Sequence, residues 1–106
     1  MIPYGKQQIS NDDIDSVIET LKSEFLTQGP KVEKFEEKIV DEVKCKYAVT
    51  ANSATSCLHL ACKALELKTN QWVWTSPNSF VASANAALYC GAKIDFIDIN
   101  PSTYNI

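Results

Sequence analysis

The run Val49-Thr50-Ala51-Asn52-Ser53-Ala54-Thr55-Ser56-Cys57-Leu58-His59-Leu60 limits the possible folds of this chain more than any other stretch. It passes from a short apolar segment, through small and polar residues, into a segment of helical spacing, which reads as strand, turn and helix. In such a turn the first amides of the helix have no intrahelical acceptor and point together out of its positive end. With the hydroxyls of Ser53, Thr55 and Ser56 beside them, those amides form a seat for a phosphate. The same residue types cap helices that bind nothing, so the turn by itself leaves seat and cap both open.

The residues on either side supply a sheet for that turn to sit on. Tyr47–Ala51 is short and apolar, as a buried strand would be, and Trp72–Thr75 and Lys93–Asp98 are further β-prone runs. Between them the spacing predicts a helix from the seat to about Glu66, and a second from Ser79 to Cys90 that ends at Gly91, where a left-handed cap belongs. Strand, helix, strand, helix, strand at these separations describes right-handed crossovers on a parallel sheet. Ligands of such sheets collect beyond the carboxyl ends of the strands. That rule places Asn52–Ser56, Ser76–Phe80 and Asp98–Pro101 on one edge.

Two helices precede this unit. Ser10-Asn11-Asp12-Asp13 has the form of a capping box, and Ile14, Val17, Ile18, Leu21 and Phe25 follow at helical spacing, with the helix stopping near Ser23 or Glu24. The link Phe25-Leu26-Thr27-Gln28-Gly29-Pro30 breaks it. Val32, Phe35, Glu36, Ile39 and Val43 then mark a second amphipathic helix with a mixed-charge outer face, and Pro3–Ile9 reads as an extended arm. The class is therefore α/β: two leading helices, then a parallel βαβαβ.

Composition removes several functions. Ten lysines balance 13 acidic groups to a net charge of -3, and no arginine is present to read bases or clamp phosphates bidentately, so nucleic acid is not an expected partner. No apolar run spans a bilayer, and the N-terminus lacks the apolar core of a signal peptide, so the expected compartment is the cytoplasm and no membrane is involved. Cys45, Cys57, Cys62 and Cys90 fit neither a disulfide framework nor a metal-ligand spacing; they read as reduced and mostly buried, and no metal site is expected.

Pro3-Tyr4-Gly5-Lys6-Gln7, Phe25–Pro30, Asn52-Ser53-Ala54-Thr55-Ser56, Thr75–Ala82 and Asp98-Ile99-Asn100-Pro101, in this order and spacing, resemble the N-terminal part of the DegT/StrS sugar aminotransferases. The resemblance covers essentially the whole chain. It implies the large domain of a pyridoxal-phosphate-dependent transferase of the aspartate-aminotransferase fold, with arm and helices over 1–45 and the start of the cofactor-binding domain at 46–106, together a single partial domain. By the same resemblance, pyridoxal 5'-phosphate (PLP) would rest its phosphate on Ala54 and Thr55 and stack its ring on Phe80. Tyr4, Glu24, Phe25, Leu26, Thr27 and Ala54 fall where the family contacts its sugar nucleotide. The link and the turn look most like members that aminate C4 of a UDP-linked 4-keto-6-deoxy-N-acetylhexosamine in pseudaminic acid biosynthesis, with glutamate as donor and a homodimer as the assembly.

Two departures qualify the resemblance. Ala54 stands where many members have glycine, keeping the amide but allowing less close approach. None of the ten lysines matches the family's cofactor-anchoring lysine, and the partner aspartate of the ring nitrogen is also unmatched; both are expected beyond residue 106, in a longer enzyme without whose remainder this stretch is inactive. His59 is assigned no role. The competing expectations are a C3 aminotransferase or dehydratase with the same cofactor, a non-catalytic phosphate-binding or oligomerising module, and a plain structural domain with a capped helix.

Overall fold

The computed structural model describes residue 2 and residues 4–106; Pro3, the first residue of the expected arm, lies outside them. The elements are α1 (Asn11–Leu21), α2 (Pro30–Val43), α3 (Ala54–Ala64), β1 (Trp72–Thr75), α4 (Ala82–Tyr89) and β2 (Lys93–Phe96). They fall into two compact units, Met1–Val49 and Thr50–Ile106.

In the first unit the expected capping box forms at the start of α1. The Ser10 N–H and hydroxyl both donate to Asp13 Oδ2 at 2.8 Å, and the Asp13 N–H donates back to Ser10 Oγ at 3.3 Å. Two of the helix's orphan amides are thereby satisfied. The link after α1 is bent by Ser23, whose hydroxyl donates to the Thr20 carbonyl at 2.7 Å and to that of Phe25 at 3.2 Å. Gly29 caps α2, and Pro30 occupies its first turn, where a missing N–H costs nothing. Both helices are amphipathic, yet neither buries a residue. A 2.7 Å ion pair from Lys31 to Glu19 joins them.

In the second unit β1 and β2 pair in parallel, with Trp72 opposite Lys93 and Thr75 opposite Phe96. The ladder is prolonged by Lys93 N–H to Gln71 O at 2.9 Å and Ile97 N–H to Thr75 O at 3.0 Å. Val73, Thr75 and Ile94 are half-buried while Trp72 and Trp74 are exposed, the alternation of a sheet covered on one side. The cover is α4, which packs on both strands and on α3. A helix pressed from several sides has no polar face, and α4 accordingly runs Ala82-Ser83-Ala84-Asn85-Ala86-Ala87. The core is made of alanines: Ala82, Ala84, Ala86, Ala87 and, past the helix, Ala92. Gly91 takes φ +76°, the left-handed conformation its position after α4 predicts.

Three expectations change. Tyr47–Ala51 is not a strand: Val49 stays 77% exposed, and a parallel strand exists only with neighbours to complete its ladder and cover its faces. The last helix begins at Ala82 instead of Ser79, because the loop after β1 is closed by an Asn78 N–H to Ser76 Oγ bond of 3.0 Å before helical turns begin. The cysteines are free thiols, but Cys45 and Cys57 are exposed and Cys62 and Cys90 only half-buried, since nothing larger than alanine is fully covered in the second unit.

Candidate functional site

The turn expected to seat a phosphate opens α3. Ser53 is its N-cap, with extended backbone, and Ser53 Oγ accepts the Ser56 N–H at 3.2 Å; the Cys57 N–H reaches the Ser53 carbonyl at 3.0 Å. The Ser56 hydroxyl donates to Asn52 Oδ1 at 2.8 Å and lies 3.0 Å from Ser53 Oγ. Two of the three hydroxyls expected beside the amides are therefore spent on shaping the turn. Among the described residues nothing accepts from the amides of Ala54 and Thr55, and the half-buried Thr55 keeps its hydroxyl for an outside partner. These two amides and one hydroxyl face the positive end of an 11-residue helix.

Phe80 lies in the same unit, just ahead of α4. α4 leaves β1 and returns to the parallel β2, so its N-terminus stands at the carboxyl end of β1. α3 packs on α4, where His59 meets Tyr89, and a Cβ on Gly91 would sit 3.3 Å from Thr69 Oγ1. Phe80 is 75% exposed and lines, with Ser76, Pro77, Ser79 and Phe96, a cavity of about 200 Å³. A ring that is usually packed inside is here free to receive a flat partner.

The residues expected to meet a sugar nucleotide, apart from Ala54, lie in the first unit. Tyr4 is fully exposed in the arm, and Glu24, Phe25, Leu26 and Thr27 form the link between α1 and α2. Phe25 and Leu26 line different cavities of that unit. Phe25 borders one of about 560 Å³ with Gln28, Gly29 and Pro30; Leu26 borders one of about 630 Å³ with Val17, Leu21, Phe35 and three lysines. Sequence reasoning passed over one contact: His59 Nε2 is buried without a hydrogen-bond partner, and its ring meets Tyr89 edge-on at 5.4 Å. The helical spacing placed His59 on α3 but offered no sign of what faced it.

The residues present fit a phosphorylated, flat, aromatic cofactor: amides and a hydroxyl for the phosphate, an apolar ring for its plane. This chain belongs to the DegT/DnrJ/EryC1/StrS aminotransferase family, whose profile matches residues 7–106. That family is PLP-dependent. A UDP-4-amino-4,6-dideoxy-N-acetyl-beta-L-altrosamine transaminase of Campylobacter jejuni (strain 81-176) is 50% identical over 99 residues, 93% of this chain and 26% of that protein. The sugar aminotransferase Spr1654 of Streptococcus pneumoniae, solved in its PLP form, superposes with a TM-score of 0.92 at 29% identity, covering 97% of this chain and 26% of that one. Helicobacter pylori PseC, an aminotransferase of pseudaminic acid biosynthesis, superposes at 0.85 with 34% identity, over 92% of this chain and 27% of its own. The chain thus spans about a quarter of the length of these relatives.

Proposed function

We propose that this chain supplies the phosphate seat, the ring-stacking aromatic and part of the substrate wall of a sugar-nucleotide aminotransferase. The whole enzyme moves an amino group from glutamate to C4 of a UDP-linked 4-keto-6-deoxy-N-acetylhexosamine, as a homodimer in the cytoplasm. The observation that carries this reading is the pair of free amides at Ala54 and Thr55, with the Thr55 hydroxyl, in the same unit as the exposed Phe80. Its specificity for an amino-dideoxy sugar draws support from the Campylobacter relative.

PLP, when bound, supplies the electron sink that amino transfer needs. This chain's residues hold and orient it. Ala54 and Thr55 N–H groups and the Thr55 hydroxyl fix the phosphate against the α3 dipole, while Phe80 keeps the ring in plane and water off one face. Tyr4 and Glu24–Thr27, with Ala54, border the sugar nucleotide. Ala54 contributes its amide to the phosphate.

The test is a titration with pyridoxamine phosphate, the cofactor form that requires no anchoring lysine, followed by cofactor absorbance and by the fluorescence of Trp72 and Trp74. Saturable binding should weaken roughly tenfold or more in Thr55→Val, the cost of one hydrogen bond to a charged group. Phe80→Ala should weaken it as well. Absence of saturable binding at millimolar cofactor would return Asn52–Ser56 to a helix cap and sink the reading for this chain.

A further inference from the structure

The turn that carries Phe80 is closed by a bond that caps nothing. The N-cap of α4 is Val81, which offers the helix no side-chain acceptor. A serine ahead of a helix ordinarily accepts one of its free amides. Ser79 is instead tied to Ser83: their Oγ atoms share a hydrogen bond of 3.1 Å, closing the stretch that contains Phe80. Within it the Ser83 N–H donates to the Phe80 carbonyl at 3.0 Å, and the next two amides, of Ala84 and Asn85, donate to the Val81 carbonyl at 3.2 and 3.0 Å. Ser83 stands in α4 between Ala82 and Ala84, 4% and 7% exposed, so the bond anchors the turn to the best-packed element of its unit. The Phe80 ring itself is exposed and has no ring partner among the described residues, so the turn is what holds it.

We propose that Ser79 and Ser83 are positioning residues for Phe80: their shared hydrogen bond fixes the backbone that carries the ring, and with it the plane that a bound pyridine meets. The inference rests on the proposed stacking role of Phe80 and adds what keeps that stack in place. Neither hydroxyl has to touch the cofactor. With the bond gone, an exposed aromatic on a looser turn visits several rotamers, and a ligand must arrest them on binding. The cost is roughly three- to tenfold in affinity, that of immobilising one side chain. The proposed phosphate seat opens a different helix, α3, so the affinity for inorganic phosphate stays unchanged.

Two measurements test this on wild type, Ser79→Ala, Ser83→Ala, Ser79→Thr and Phe80→Ala, with Ser83→Ala/Phe80→Ala completing a cycle. By NMR without ligand, the three-bond couplings about χ1 of Phe80 should report one rotamer in wild type and in Ser79→Thr, which keeps the hydroxyl, and averaged rotamers in both serine-to-alanine variants. Pyridoxamine phosphate should bind those two variants roughly three- to tenfold more weakly than wild type, and Ser79→Thr as wild type does. Once Phe80 is alanine, Ser83→Ala should cost nothing more, and inorganic phosphate should bind all variants alike. Couplings already averaged in wild type, or unchanged by the serine substitutions, would overturn the proposal and leave the stack itself standing. So would a loss from Ser83→Ala that persists without the Phe80 ring or that inorganic phosphate shares, since the serines would then act on the fold or the seat. If Phe80→Ala binds pyridoxamine phosphate as tightly as wild type, or wild type does not bind it, the stacking role falls and the positioning role with it, whatever the couplings show.

Discussion

The two units of this chain reach helical structure by opposite routes. In residues 1–49, α1 and α2 have clear apolar stripes and a well-formed capping box, yet Ile14, Val17, Leu21, Val32 and Phe35 all remain exposed. In residues 50–106, α4 has no stripe at all and supplies four of the five buried residues. A stripe records that a helix has one side to cover, whereas an evenly apolar helix is covered on several sides. The second unit contains its own cover, in the form of α3 and two strands, and the proposed phosphate seat opens one of those elements, α3.

The comparison breaks most sharply under one substitution made in both units. Ala87 is 0% exposed; Ala87→Gln forces four extra heavy atoms, three of them an amide, into close packing between α4 and its neighbours. Overpacking and an unpaired buried amide together should cost about 3 kcal/mol or more. Val17→Gln on α1, at a position 59% exposed, should change stability by no more than about 0.5 kcal/mol. Denaturant unfolding read by tryptophan fluorescence, which reports only the unit holding Trp72 and Trp74, and by helical circular dichroism measures both. Equal losses at the two sites would mean that the stripe of α1 is as well covered as α4.

A smaller change examines the turn that joins α4 to β2. Gly91 combines φ +76° with a Thr69 hydroxyl 3.3 Å from the place of a Cβ, so Gly91→Ala meets both a left-handed backbone and a close neighbour. The expected loss is about 1–2 kcal/mol, confined to the second unit. Gly91→Ala in a Thr69→Gly background should recover the steric part and leave the backbone part. Hydrogen exchange at Ala92 and Lys93, whose amides bond Ala87 and Gln71, gives the readout.

Much of this was legible in the residues. Ser10 and Asp13, Trp72–Thr75 and Gly91 each sit where local chemistry dictates structure: a cap, a β-prone run between turns, a left-handed position. The capped turn where the seat is proposed was legible for the same reason, since its free amides follow from where α3 starts. What was not legible depends on contacts distant in sequence. Tyr47–Ala51 has the composition of a strand but needs a neighbour to be one, and Cys57 sits in an apolar pattern yet faces outward because no element covers it. Which hydroxyl of the turn stays free was equally hidden: Ser53, Thr55 and Ser56 are alike in sequence, and only the turn geometry assigns Ser53 and Ser56 to each other and Ser56 to Asn52.

Acid gives the finest separation of the units, through how their helices are capped. The Asp13 carboxyl is held below its ordinary value of 3.8 by the Ser10 backbone N–H and hydroxyl, and Glu19 below its ordinary 4.5 by the Lys31 ammonium. Both carboxyls are in the first unit. A group whose pKa is lower folded than unfolded binds fewer protons in the native state, so its contribution is complete above the unfolded value and disappears as pH falls through the folded one. Below about pH 4, therefore, α1 should lose the Asp13 half of its capping box and its tie to α2. The cap of α3 uses the Ser53 hydroxyl, which does not titrate in that range, and should hold. Amide exchange followed residue by residue from pH 6 to pH 3, corrected for intrinsic rates, should show protection falling at Ile14 and Asp15 while that at Cys57 and Leu58 stays level. A parallel fall in both helices would tie the two units to one unfolding event and remove the distinction drawn between them.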